Sequence, residues 1–270
     1  MGETAVARRE LDSLNITDRF QHRSRLVSFL LARDNQRLIT VTENNDVHSW
    51  DVGSGELLKT SKLNFAPKHI RELEQGQHYL VWSDTKAAIV NSKTLETTRT
   101  EQLPDLAPSW VVDSKGGLAV MGLRDEKLVS TLSESSKSIA TKDKVRLIVG
   151  APDGSMVACT EGYEKVLLLD PLTGELRGTI AVDGAAIKNL SVSDNGRFLV
   201  AYCEDNSFKV WNTQTRSLVF KIQDLFPSVK ALKIADDGSN IVFSGNDKTL
   251  GIIQIDPAHG DVLKNQFIDN

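Results

Sequence analysis

The sequence predicts an all-β fold, a β-propeller of four-stranded antiparallel blades with six complete units; a seventh, partial unit is the alternative count. Three observations predict it. Apolar and polar residues alternate in short runs separated by Gly, Asp and Asn turns, which is the hairpin pattern. A turn residue recurs as Asp51, Asn91, Asp170, Asn212 and Asp256, spaced by about 40 to 44 residues when the gap from Asn91 to Asp170 holds two units, and this is the period of a propeller blade. Helical periodicity is scarce. The best helical stretch, residues 4–14, reads almost as well as a strand.

The second half of each unit is the clearer one. Residues 46–59, 165–177 and 208–219 each carry an alternating apolar strand, an Asp or Asn, a turn of Gly, Ser or Thr, and a second short strand. Weaker copies lie at 87–95 and 251–260. A hidden copy at 118–138 has lost the Asp and Gly of its turn at 133–136. The first halves begin with strands at 26–31, 186–192 and 229–234. Polar turns follow at 33–35, 152–154, 193–196 and 236–238, then second strands at 37–41, 156–159, 198–202 and 240–243.

These units place the blades at about 26–64, 65–103, 104–140, 141–182, 183–224 and 225–268. Residues 1–25 form an N-terminal segment, read as the outer strand of a closing or preceding blade. The last unit already owns an outer strand at 261–267. The chain is therefore expected to be either a six-bladed ring with an additional N-terminal strand or a piece of a larger propeller.

Composition bounds the function. Of 270 residues, 40% are hydrophobic and 25% charged, which is ordinary globular usage. The net charge of −4 argues against a general affinity for nucleic acid or anionic membrane. No apolar run approaches the roughly 18–20 residues that span a bilayer. The first ten residues lack the apolar core of a signal peptide. Only two cysteines are present, Cys159 and Cys203, which excludes disulfide scaffolds and multi-cysteine zinc sites. Both are expected to be small buried residues at comparable places on second strands of neighbouring blades, in a reducing compartment. The cytoplasm is expected, with the nucleus as the alternative.

Particular residues carry a family resemblance. Gln21-His22, Asp34-Asn35 and Trp50-Asp51 stand in blade one where the WD-repeat (WD40) family has Gly-His, Pro-Asp-Gly and Trp-Asp. Blade four keeps Pro152-Asp-Gly154 and Leu169-Asp170. Blade five keeps Asp205 and Trp211, with Asn212 for the Asp. Blade six keeps Asp247, with Ile253 at the Trp position. The chain resembles that family across six divergent units, and Asn44 stands where blade one would want its Asp. The resemblance implies blade-stabilising roles for His22, Trp50, Asp51, Asp205, Trp211 and Asp247, with His22 donating between blades. It also implies docking on the rim near the start of each innermost strand, at Arg25, Lys68 and Asp143, with Ala185 and Pro227 at the matching places of blades five and six.

Catalytic patterns are missing. The five histidines form no H-x-x-x-H or H-E-x-x-H pair, and no phosphate loop, dinucleotide fingerprint or nucleophile elbow occurs. Residues 236–240 lack the spaced ligands of a calcium loop. No catalytic residue, cofactor or metal is assigned, and the chain is not expected to be an enzyme. The reading is a non-catalytic protein-interaction scaffold or adaptor, or the sensor part of a larger multidomain protein. Its partners are proteins or peptides; it acts as a monomeric propeller or within a larger assembly. Two alternatives stand. A lactonase-like or quinone-dependent propeller enzyme needs acidic or His ligands converging on the channel. An RNA-processing or chromatin-associated propeller needs a basic face.

Overall fold

The computed structural model describes residues 4–9, 16–73, 76–104, 107–114, 117–124, 127–132, 135–223, 228–245, 250–256 and 262–268. Among them there is no α-helix. The chain divides into two units, Met1–Pro108 and Ser109–Asn270.

In the first unit, β1 (Thr4–Arg9) and β2 (Ile16–His22) form a two-stranded antiparallel hairpin. Blade one follows as β3 (Leu26–Leu31), β4 (Arg37–Thr42), β5 (Asp46–Asp51) and β6 (Leu57–Lys62). Blade two is β7 (His69–Leu73), β8 (His78–Trp82), β9 (Lys86–Asn91) and β10 (Thr97–Gln102). The stretch that read as helix or strand is thus a strand with a hairpin partner, and residues 10–14 of it lie outside the described residues.

The second unit holds four more blades. Blade three is β11 (Ala107–Ser114), β12 (Gly117–Arg124), β13 (Lys127–Leu132) and β14 (Ser135–Ser138). Its β14 begins inside the stretch expected to be a turn, whose first residues, 133 and 134, lie outside the described residues. Blade four is β15 (Ile148–Gly150), β16 (Val157–Glu161), β17 (Lys165–Leu169) and β18 (Leu176–Ala181). Blade five is β19 (Ile187–Val192), β20 (Phe198–Cys203), β21 (Phe208–Asn212) and β22 (Leu218–Ile222). Blade six is β23 (Ala231–Ile234), β24 (Asn240–Ser244), β25 (Leu250–Ile255) and β26 (Val262–Ile268). Every blade pairs its strands in chain order.

Two turn designs punctuate the sheets, and each explains a residue type in the repeat. Between first and second strands, Asp34, Asp153, Asn195 and Asp237 accept the amide of the residue two positions on. The next residue is left-handed in each case: Asn35, Gly154, Gly196 and Gly238. Between third and fourth strands, Asn91, Asp170 and Asn212 accept the amides two and three residues on, and Asp51 accepts the amide of Ser54. The fourth residue after the Asx is left-handed: Gly55, Leu95, Gly174 and Arg216. An Asx side chain caps the amides that the tight turn leaves unpaired, and a left-handed residue lets the chain reverse. In blade six, β25 carries Ile253 opposite Ile241, the place Trp50 takes opposite Leu38, yet Asp256 comes three residues later rather than one. The longest spacing in the repeat is this extended third strand.

In blades four and five the second and third strands are buried almost throughout because sheets cover both their faces. Four apolar clusters hold blades face to face: Ile39 and Val41 with Tyr79 and Val81; Met121 and Leu128 with Val157 and Leu169; Ile180 and Ala158 with Leu199 and Trp211; Val200 and Phe208 with Ile241 and Ile253. Each such fully buried side chain contributes about 1.5–3 kcal/mol of transfer free energy. The first strands are neighbours: β3 beside β7, β15 beside β19, and β19 beside β23.

Cys159 and Cys203 are both free and buried, but two residues out of register. Cys159 faces Leu167, as Ala201 faces Lys209, whereas Cys203 lies at the place of Glu161. Burial pushes the Cys159 thiol up to about 12 and raises that of Cys203 as well.

Candidate interaction rim

In blades one, two, four and five the loop leading into the first strand lies against the turn between the second and third. Backbone amides fix the pair: Glu43 to the Arg25 carbonyl at 2.9 Å, Lys68 to that of Trp82 at 2.8 Å, Gly162 to that of Lys144 at 2.9 Å, and Glu204 to that of Ala186 at 2.8 Å. This edge carries the positions expected to bind a partner. Arg25 is held by Glu43 at 3.0 Å, and Lys68 by Asp84. Both pairs are exposed, so each contributes at most about 1 kcal/mol. Asp143 is exposed and lines a cleft. Ala185 is buried in the cluster between blades four and five and offers no rim surface, because its methyl fills the apolar contact there. Pro227 lies outside the described residues.

The cleft beside Asp143 measures about 910 Å³ and is lined by Leu123, residues 142–146 and residues 161–165. Tyr163 stands at its lip, 59% exposed, with the Arg146 guanidinium 4.5 Å above its ring. A smaller cleft of about 330 Å³ shares Arg146 and Tyr163 and continues over Leu147, Ile187, Lys188 and Glu204 of blade five. The two clefts make one surface with an amphipathic aromatic–cation anchor at its centre.

Glu161 holds the base of this surface. It is buried, accepting the Lys142 amide at 2.6 Å and the Lys165 ammonium at 2.5 Å. Burial alone would raise its carboxyl; the bonds from Lys165 and Lys142 outweigh that and hold it below the usual carboxylate range. Thr160 Oγ1 accepts the amides of Arg146 and Leu147 at 3.2 and 3.1 Å. The loop bearing Arg146 is therefore fixed from below, so the anchor is preorganised. Among the described residues, no group of three or more His, Cys, Asp or Glu could hold a metal ion.

The residues named as blade-stabilising lie elsewhere. Trp50 is buried and donates to Thr40 Oγ1 at 2.9 Å. Asp51 caps the turn at Ser54 through its amide (2.7 Å) and hydroxyl (3.0 Å). Asp205 accepts the Ser207 hydroxyl at 2.6 Å and lies 3.7 Å from Lys221 Nζ. Trp211 is buried between blades four and five. His22 makes no hydrogen bond through either ring nitrogen; instead it packs edge-on against Trp50 at 5.1 Å and beside His48 at 5.3 Å. The expected donation by His22 is thus replaced by ring packing. Asp247 lies outside the described residues.

Sequence reasoning missed Tyr163 and Arg146. It followed the loops before the first strands, which offer no aromatic residue, while the aromatic sits in the turn at 161–164. The available signal was a large aromatic beside Gly162, at a turn that polar residues occupy in blades one and five.

The WD domain, G-beta repeat family matches residues 173–212. That segment runs from the outer strand of blade four through the third strand of blade five. No curated protein sequence matches the chain. Among solved structures, the β-propeller domain of Myceliophteria thermophila Cps50 (Swd1) superposes with a TM-score of 0.69 at 14% identity, covering 93% of this chain and 88% of that one. A chain of the mitotic checkpoint complex superposes with a TM-score of 0.68 at 16% identity, covering 94% of this chain and 84% of that one. At such identities the likeness speaks for the fold alone. The chain therefore has the β-propeller fold over nearly its whole length, with a match to the WD repeat family over blades four and five.

Proposed function

We propose that the chain is a non-catalytic scaffold that binds a protein or peptide across the rim of blades four and five. The observation that carries this reading is the exposed Tyr163 with Arg146 over its ring, standing between two confluent clefts. Tyr and Arg dominate binding energy at protein interfaces, and a rigid anchor loses little entropy on docking. The surface mixes charges: Lys142, Lys144, Arg146 and Lys188 against Asp143, Glu164 and Glu204. Such a mixture suits a protein partner better than a nucleic-acid backbone, which wants a positive stripe. One of the solved propellers like this chain was determined within a multiprotein complex, which supports protein partners. The free cysteines support a reducing compartment, and we place the protein in the cytoplasm.

The test is quantitative affinity capture with the unsubstituted chain, Tyr163→Ala and Arg146→Ala, each first checked for an unchanged melting curve. Loss of the same partners from both variants supports the rim. A captured set identical in all three sinks it.

A further inference from the structure

Arg146 carries an unused hydrogen-bonding group. Its guanidinium lies over the Tyr163 ring, yet among the described residues it makes no hydrogen bond and no ion pair. Carboxylates are near enough to line the same clefts, Glu164 the larger and Glu204 the smaller, but neither pairs with it. Other charged side chains of these rims do pair off: Arg25 with Glu43, Lys68 with Asp84, and Lys165 with Glu161. A guanidinium presents its N–H donors as a rigid planar fork, the match of a carboxylate. Here the fork is held on one side by an aromatic ring, on a loop that Thr160 fixes through two backbone amides.

The surroundings select the ligand's chemistry. The two clefts meet at this guanidinium, with Leu123 and Val145 lining the larger and Leu147 and Ile187 the smaller. Apolar wall therefore flanks the cation on both sides. With Glu161 and Lys165 paired to each other, the rest of the lining holds four cations and three carboxylates, on a chain whose net charge is −4. The local excess of positive charge favours an anion. The three carboxylates limit its charge: a phosphate group brings nearly two negative charges against them, whereas a carboxylate brings one.

We propose that Arg146 is the receptor for a Glu or Asp side chain of an extended peptide, whose apolar side chains two residues before and two residues after it enter the flanking clefts. This assignment rests on the reading of the rim as a protein-binding surface and names the chemistry that surface takes. In an extended chain, side chains two residues apart share a face at a spacing of about 6.5 Å. Three alternate side chains, apolar, acidic and apolar, thus meet cleft, fork and cleft in turn. The acidic group gives specificity and the apolar pair gives buried area.

The experiment measures binding of the whole chain to fluorescein-labelled synthetic heptapeptides by fluorescence anisotropy. Each pool has Ser or Thr throughout except at three places: an equal mixture of Leu, Val and Phe two residues to either side of the centre, and a central Glu, Gln or phosphoserine. The central Glu pool is expected to bind about tenfold tighter than the Gln pool, the scale of a charge-assisted, bidentate contact. Arg146→Gln is expected to abolish that preference. Arg146→Lys keeps the charge but loses the fork, and is expected to remove most of it; it repeats the measurement should Arg146→Gln fail to fold. Glu204→Gln removes a competing carboxylate and is expected to tighten the Glu pool. Four results overturn the proposal: no binding by any pool, equal binding of the Glu and Gln pools, a preference for Glu that survives in both Arg146 variants, or tighter binding of the phosphoserine pool, which would assign the site to phosphate. If one of these occurs while Tyr163→Ala and Arg146→Ala still lose captured partners, the rim reading stands and the acidic occupant falls. If capture is unchanged as well, both fall.

Discussion

Trp50 donates its indole N–H to the hydroxyl of Thr40 at 2.9 Å inside blade one, where both side chains are buried. Thr40 faces His48 across the β4–β5 ladder while Trp50 faces Leu38, so the bond runs diagonally and ties second strand to third. In blade five the matching position is Ala201, so Trp211 rests on packing without a hydroxyl from that place.

Thr40→Val keeps the shape and removes the acceptor. The buried indole N–H then goes unpaired, and stability falls by about 1–3 kcal/mol. Trp211→Ala instead deletes a large apolar body between blades and costs about 3–5 kcal/mol. Urea unfolding of both variants checks the order; a smaller loss for Trp211→Ala would contradict the packing assigned to it.

Left-handed positions give opposite outcomes on the same substitution. Arg216 (φ 60°) is exposed in a turn where blades one and four use glycine. Arg216→Gly relieves backbone strain and is expected to add about 1 kcal/mol. Leu95 (φ 56°) has the same strain but fills the core between blades one and two. Leu95→Gly gains the same relief yet loses a buried side chain costing about 2–5 kcal/mol, so it destabilises. Paired thermal melts decide whether burial outweighs strain.

Gly251 lies opposite Phe243 in the β24–β25 pair, and a methyl at Gly251 would overlap the Phe243 ring. Gly251→Ala is expected to lose about 1–3 kcal/mol through overpacking. Gly251→Ala combined with Phe243→Leu should recover part of that loss, since the smaller side chain vacates the space. A double variant no better than the single one would refute the steric account.

Acid weakens the fold in two stages. Burial, then the neighbouring His48, lowers the His22 imidazole from 6.5 to about 4; burial lowers His48 too, against the pull of Asp46. A base with a depressed folded pKa leaves the unfolded chain holding more protons, so stability rises with pH. The contribution is complete above 6.5 and is lost as pH falls from 6.5 towards about 4. His22→Asn should flatten the melting temperature across that window. Asp34, Asp170, Asp205 and Asp237 are held below their usual 3.8, so their contribution is lost only at lower pH. A variant with the same slope as the unsubstituted chain would exclude His22 as its source.

The turns were readable because their chemistry admits few residues. Asp or Asn must cap, and a left-handed residue must follow, so Asp153-Gly154 or Asp170 through Gly174 announces itself. The rim anchor was hidden because Arg146 and Tyr163 come from two loops that meet only when β15 and β16 pair. The exposure of Phe29 and Leu31 on β3 was hidden for a different reason. Alternation tells which face a strand residue takes, and says nothing of whether any neighbour lies on that face.

The family segment at 173–212 begins on one sheet and ends on the next. Cut out as inherited, it holds three strands of blade five and one of blade four, with each group lacking the mate that would bury it. The matched repeat is thus not a unit of folding. Copying or losing such a segment always shifts an outer strand onto a neighbour, so a gain or loss of repeats leaves every junction between sheets covalently stitched.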